Sequence, residues 1–196
     1  MTPALERAYA EPGRRYHTRR HIEDCLAKLA AWPGLTEAER RVLGWAIWWH
    51  DAVYDAKAAD NEARSADMAR PELPALGATP AEVEEVARLI RLTAGHAVEE
   101  GDRLGAVLVS IDLSILAAKP ADYDAYAQAV REEYAHVPEA AWRTGRGAVL
   151  RRFLASPELF PDPAFRATHE AVARANLQRE IASLDRGHAV ASRAPT

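Results

Sequence analysis

The chain has a single cysteine, Cys25, among 196 residues. It cannot form an internal disulfide, and a zinc site built on paired cysteines is excluded. Lysine is nearly missing as well: Lys28, Lys57 and Lys119 stand alone against a large excess of arginine. The net charge of −4 gives no global attraction to nucleic acid or anionic lipid, so neither polymeric nucleic acid nor a membrane is an expected partner. Long apolar runs are absent. The longest, residues 42–49, has eight residues, whereas a membrane-crossing helix needs roughly 20. Residues 1–16 lack the apolar stretch of a secretory leader, and a cytoplasmic protein is expected.

What is present suits a core. Hydrophobic residues make up 48% and charged residues 28%, an ordinary globular balance that predicts one domain over 1–185 and a frayed, disordered tail over 186–196. The apolar spacing is helical nearly throughout. Ile22, Cys25, Leu26 and Leu29 recur at intervals of three and four, predicting a helix over 17–31 that Pro33-Gly34 breaks. Thr36 and Glu39 form a capping box for a second helix reaching about Tyr54. Asp60 caps a third, to about Ala69, and 71–79 reads as a loop. Thr79, Pro80 and Glu82 open a fourth, carrying Val83, Val86, Leu89 and Ile90 and ended by Gly95. Residues 104–116 are rich in Val and Ile, but their length and lack of alternation favour a buried helix over a strand. Further helices are predicted over 121–136, from Pro138, and from Pro163 to about Leu184. The expected fold is all-α, a compact multi-helix bundle.

Several polar residues stand in apolar settings. His50-Asp51 follows the run 42–49, which has no charged face and so reads as a core helix. A carboxylate buried there must be paired, hydrogen-bonded or bound to a metal. A core His–Asp hydrogen bond and a metal site fit that dipeptide equally well. His17 and His21 lie four apart, on one helix face, or form a surface pair in a basic stretch. Asp112 has Leu108, Val109, Ile115 and Leu116 as its helical neighbours, so it points into the core. An arginine partner would satisfy it. A cation shared by His21, His50, Asp51 and Asp112 would satisfy all four at once, and two His with two Asp suit a divalent ion with open positions for water and substrate.

The order His21, His50-Asp51, Asp112 on successive helices resembles the HD superfamily of metal-dependent phosphohydrolases. Pro12-x-Arg14-x-Tyr16-His17-x3-His21, His50-Asp51-Ala52-Val53-Tyr54-Asp55 and Asn61-Glu62-x2-Ser65-Ala66 are similar to a bacterial subgroup predicted to have that activity. So are Thr93-x2-His96, Asp112-Leu113, Tyr123-x2-Tyr126, Arg131-x-Glu133-Tyr134 and Asn176-Leu177-x2-Glu180. The likeness spans roughly residues 9–180. It implies an HD-type bundle with the metal site in its core and His21, His50, Asp51 and Asp112 as metal ligands. The ion would be divalent: Mn, Fe, Ni, Zn, Co or Mg. His17 would touch a bound phosphate or a second metal. Many single-metal members carry a Glu three residues after the HD Asp; Tyr54 stands there in this chain, which moves the acid or base to Asp55 or Glu62. Arg14 is expected to stabilise phosphoryl charge, with Arg131 and His96 as further candidates and Asn61 as a substrate contact or a capping group. The implied activity is hydrolysis of a phosphoester of a small metabolite or nucleotide. The alternatives are a non-hydrolytic nucleotide- or signal-binding module and an HD-fold iron oxygenase, which the shortage of extra His ligands disfavours. A homo-oligomer stays open, since Trp142 and Phe153 suit either a core or an interface.

Overall fold

Capping chemistry sets several of the helix starts. In the computed structural model, which describes residues 2–191 with side chains as far as 186, Thr36 accepts from the Glu39 N–H. The Glu39 carboxylate accepts in return from the Thr36 N–H at 2.8 Å. Thr79 and Glu82 repeat that reciprocal pair. Each cap satisfies orphan donors of a first turn and contributes about 1 kcal/mol. The described residues are all-helical and contain no strand. The α-helices are α1 (Pro3–Tyr9), α2 (Arg19–Ala31), α3 (Glu37–Trp49), α4 (Asn61–Glu72), α5 (Pro80–Leu92), α6 (Arg103–Asp112), α7 (Pro120–Glu133), α8 (Glu139–Ala155) and α9 (Pro163–Ala191). Short 3₁₀ turns at Leu73–Leu76 and Leu113–Ala117 follow α4 and α6. No single helix among them is long and apolar enough to cross a membrane.

The chain divides into two compact units, Met1–Asp112 and Leu113–Thr196. In the first, α3 is the central element, packed against α2, α4, α5 and α6. Its charge-free run buries Val42, Leu43, Ala46, Ile47 and Trp49 against Ile22, Cys25 and Leu29 of α2, Val86, Leu89 and Ile90 of α5, and Leu108 and Ile111 of α6. Each fully buried Leu or Ile contributes on the order of 1.5–3 kcal/mol. Gly105 allows α6 to sit tightly on α5: a Cβ there would lie 2.7 Å from Leu92 Cδ2. Its N–H is capped by Asp102 Oδ1 at 2.9 Å.

In the second unit α8 packs on α9, and α9 and α7 both pack on the 3₁₀ turn Leu113–Ala117. Asn176 Nδ2 donates to the Leu116 and Ala118 carbonyls, each at 2.9 Å, and holds that turn to α9. Arg146 forks onto Glu180 at 2.8 and 3.1 Å. Tyr123 donates to the same carboxylate.

The boundaries differ from the sequence reading in several places. Asp60 precedes α4 without a side-chain cap, α4 runs through Pro71 to Glu72, a 3₁₀ turn occupies Leu73–Leu76 of the expected loop, and the expected helix over 104–116 gives way to a 3₁₀ turn after Asp112. The helix α2 begins at Arg19, with Thr18 as its extended N-cap, so His17 lies outside it and does not share its face with His21. The helix α3 stops at Trp49 instead of running to Tyr54, because groups that a longer helix would pair are taken elsewhere: the Trp48 carbonyl accepts from the Tyr9 hydroxyl at 2.9 Å, and the Ile47 carbonyl meets His50 Nδ1 at 2.9 Å. Arg14 donates to the Asp51 and Ala52 carbonyls at 2.6 and 2.9 Å, and Ser65 Oγ accepts from the Val53 N–H at 2.9 Å. A seven-residue helix, α1, precedes the predicted elements; Thr2 caps it and Pro3 opens it. At the other end α9 continues past Leu184 to Ala191. The predicted tail is therefore helical over 186–191, and 192–196 lie outside the described residues.

Candidate metal centre

Four elements of the first unit meet at one point. His21 comes from the first turn of α2, His50 from the C-cap of α3, Asp51 from the turn after it, and Asp112 from the last residue of α6. His21 Nε2 lies 3.3 Å from His50 Nε2, 3.3 Å from Asp112 Oδ1 and 3.6 Å from Asp51 Oδ2. His50 Nε2 lies 3.1 Å from Asp51 Oδ2 and 3.4 Å from Asp112 Oδ1. An ion held about 2.1 Å from nitrogen and oxygen donors sets them about 3.0 Å apart at right angles and about 3.4 Å apart at tetrahedral angles. The observed edges are of that size.

Proton counting gives the same answer. His50 Nδ1 is 2.9 Å from the Ile47 carbonyl, which can only accept, so Nδ1 carries the hydrogen and a neutral His50 presents a bare lone pair at Nε2. Ionised carboxylates carry no proton. A neutral His21 therefore supplies at most one proton to the four facing atoms. Asp51 Oδ2 is buried and accepts no hydrogen bond, since the nearest nitrogen, His50 Nε2 at 3.1 Å, carries no hydrogen in the neutral ring whose Nδ1 faces the Ile47 carbonyl. A buried acceptor without a donor costs about 1–3 kcal/mol, more when charged. Either an imidazolium or a bound cation resolves the deficit, and the donor set fits a divalent ion: neutral imidazoles and carboxylates, two of each.

The electrostatics of the protein's own groups describe the protonated solution. Burial disfavours the His50 imidazolium, yet the Asp51 and Asp112 carboxylates outweigh burial and raise its pKa well above the ordinary histidine value. Burial likewise acts against ionisation of Asp51 and Asp112, but His50 above all holds both carboxyls below the usual carboxylate range. The site thus stabilises positive charge at its centre, whether a proton or a metal supplies it.

Exposure is graded across the cluster. The His50 and His21 side chains are 2% and 5% exposed, against 16% and 14% for Asp51 and Asp112, so the carboxylates mark the open side. The rim is aromatic. The Tyr16 ring is 4.8 Å from that of His21, and His17 stacks on Tyr54 at 4.2 Å. His96 Nε2 donates to Asp112 Oδ2 at 3.2 Å. Cys25, one turn after His21, places its Sγ 3.8 Å from His21 Nδ1. Burial pushes its thiol pKa up, with Asp112 adding to the effect.

The remaining candidates fall elsewhere. Arg14 is buried behind the cluster. It donates to the carbonyls of His17, Asp51 and Ala52, pairs with Glu11 at 3.0 Å, and lies over the Tyr9 and Tyr54 rings. Its expected place against a phosphoryl group gives way to that of a clamp on the turn carrying Asp51. Asn61 and Asp55 bind each other. The Asp55 N–H donates to Asn61 Oδ1 at 3.0 Å, and Asn61 Nδ2 donates to the Asp55 carbonyl at 2.9 Å. Asp55 is exposed, and its Oδ1 accepts from the Lys57 N–H. Both residues shape the loop into α4. The side chain of Glu62, half-buried in the first turn of α4, makes no hydrogen bond or ion pair among the described residues. Arg131 belongs to the second unit, where it donates to the Tyr134 and Val137 carbonyls, pairs with Glu139 and lies over Trp142.

Two contributors were given no role in the sequence reading. The Ile47 carbonyl that orients His50 is legible only once α3 is known to end at Trp49 with His50 as its C-cap, where carbonyls of the last turn lack helical donors. Tyr16 precedes α2, so no periodicity ties it to His21. Comparison of the chain with protein-family models, curated proteins and solved structures gives no match in any of the three.

Proposed function

We propose that the chain is a metal-dependent phosphohydrolase of the HD type, acting on a phosphoester of a small metabolite or nucleotide. The buried Asp51 oxygen carries this reading: it lacks a hydrogen-bond donor and faces two imidazole nitrogens at ligand spacing, and the same two nitrogens face Asp112 Oδ1. The order of these residues along the chain, and its resemblance to the HD phosphohydrolases, adds the reaction class.

A divalent ion, when bound, supplies Lewis-acid polarisation of a phosphoryl oxygen and a water of lowered pKa. His21, His50, Asp51 and Asp112 would hold it. The Ile47 carbonyl fixes the His50 ring so that its free nitrogen faces inward, and the Arg14 clamp fixes the turn that carries Asp51. Hydrolysis joins a water oxygen to phosphorus and breaks the phosphorus–oxygen ester bond. One proton leaves the water and one reaches the leaving oxygen. Glu62 is the carboxylate proposed to carry it, because its side chain is uncommitted while Asp55 is tied into a loop turn. His17 and Tyr16, on the rim, would meet the substrate.

One observation favours a second reading, a module that binds a nucleotide or signal without hydrolysing it. Both arginines expected near phosphoryl oxygens, Arg14 and Arg131, are committed to main-chain carbonyls. A panel of phosphomonoesters and phosphodiesters, tested after chelation and metal add-back in wild type and Asp51→Ala, separates the two. The hydrolase reading expects phosphate or alcohol release that depends on the ion and is lost in Asp51→Ala. Metal-dependent binding with no release across the panel would favour the module. Activity unchanged by chelation and by Asp51→Ala would end the metal reading.

A further inference from the structure

The chain after α5 spends an unfavourable backbone conformation on a histidine. His96 has φ +54° and is the one non-glycine residue with positive φ among the described residues. Helix ends often place a residue in this left-handed region, usually glycine, because a side chain is disfavoured there. Gly95 directly precedes His96 and does not adopt it. The His96 N–H donates to the Leu92 carbonyl at 3.0 Å, which fixes the turn and aims the ring at α6. A local departure of this kind is evidence that something else holds the residue. What the ring reaches is one carboxylate oxygen, Asp112 Oδ2, at 3.2 Å. The other oxygen, Oδ1, faces His21 and His50 at 3.3 and 3.4 Å.

We infer that His96 is a positioning residue that keeps Asp112 a one-oxygen ligand, an inference that rests on the metal reading above. A carboxylate can bind an ion through one oxygen or chelate it through both. With Oδ2 occupied by an imidazole N–H, Asp112 presents Oδ1 alone. Two nitrogens and two single oxygens leave an octahedral ion two positions for water and substrate, whereas a chelating Asp112 would take one of them. Outer-sphere partners that orient a ligand are a general feature of metal sites. The left-handed turn at His96 delivers such a partner from a different helix.

The test is the number of exchangeable waters on Mn²⁺ bound to the protein, read from water-proton relaxation enhancement, in wild type, His96→Gly and His96→Gln. Glycine suits the left-handed turn, so His96→Gly is expected to melt no lower than wild type while losing one water per bound ion and binding Mn²⁺ as tightly or more tightly. Glutamine offers an N–H donor to Oδ2 and is expected to restore the water count. An equal count in wild type and His96→Gly overturns the inference. So does a wild-type stoichiometry of two ions that falls to one in His96→Gly, since His96 would then be a ligand itself. A wild type that is folded and binds no Mn²⁺ removes the metal reading, a different failure seen before any variant is compared.

Discussion

Replacing Arg14 by methionine tests whether this arginine is a clamp or a substrate contact. The guanidinium is buried and spans the carbonyls of His17, Asp51 and Ala52, the last two just beyond the end of α3. A hydrogen bond involving a charged group contributes about 1.5–3 kcal/mol, so three give roughly 4–9 kcal/mol before the guanidinium's own desolvation is subtracted. Desolvating a buried charge costs several kcal/mol, which leaves a net loss of about 3–5 kcal/mol in Arg14→Met. Methionine keeps an apolar stem but gives up the guanidinium's place over the Tyr9 and Tyr54 rings, a smaller contribution of about 0.5–2 kcal/mol, so the loss reports chiefly on the donors. Urea unfolding followed by tryptophan fluorescence is the assay, because Trp32, Trp45, Trp48 and Trp49 all lie in the first unit. With an m-value of about 2 kcal/mol/M, the midpoint should fall by about 2 M. Arg14→Lys should recover less than half of that, since one ammonium cannot fork over separate carbonyls. An unchanged midpoint with a raised KM for a phosphoester would refute the clamp and return Arg14 to the substrate.

Asp112→Asn keeps size but removes charge; its divalent-metal affinity should fall by more than the roughly 10–100-fold typical of losing an outer-sphere partner, measured by competition with a chromophoric chelator. The metal-free site should show two opposed pH limbs. Asp51 and Asp112, depressed in the fold, add stability above their unfolded values near pH 4 that is lost as pH falls, whereas His50, raised in the fold, adds stability below about pH 6.5 that is lost as pH climbs through its raised value. Melting temperature against pH in chelator should therefore decline on the alkaline side, and saturating metal should abolish that decline; identical profiles with and without metal would contradict it. Arg146 and Glu180 are 8% and 11% exposed, so Glu180→Leu alone should cost about 3–5 kcal/mol by leaving a buried guanidinium unpaired, while Arg146→Met with Glu180→Leu should cost far less. Additive losses in that urea double-mutant cycle would show that the pair does not interact.

The parts of the fold written in local chemistry were legible in the sequence. Thr36–Glu39 and Thr79–Glu82 announce helix starts by residue type alone, and both boxes form. The charge-free run 42–49 is the buried central helix. Asp112 could be aimed inward from its apolar neighbours at three and four, and it faces His21 and His50 in the structure. Features decided by distant donors were not legible. The end of α3 depends on partners such as Tyr9, whose hydroxyl takes the Trp48 carbonyl from 39 residues away, and no local signal marks it. The reading of His17 and His21 as one helix face failed because the chain turns at Thr18, whose N–H donates to the Tyr16 carbonyl at 2.7 Å. Gly95 pointed to the end of α5, but the left-handed residue is its neighbour His96, whose ring meets Asp112 Oδ2 at 3.2 Å.

The central claim is that His21, His50, Asp51 and Asp112 together hold a divalent ion. Equilibrium dialysis of the chelated chain against Co²⁺ or Mn²⁺, with metal per chain counted by elemental analysis, tests it most directly. One ion per wild-type chain is predicted, with essentially none retained by His50→Ala or Asp51→Ala variants whose helical circular dichroism is intact. A folded wild type that retains no ion, or variants that retain as much as wild type, would contradict the account.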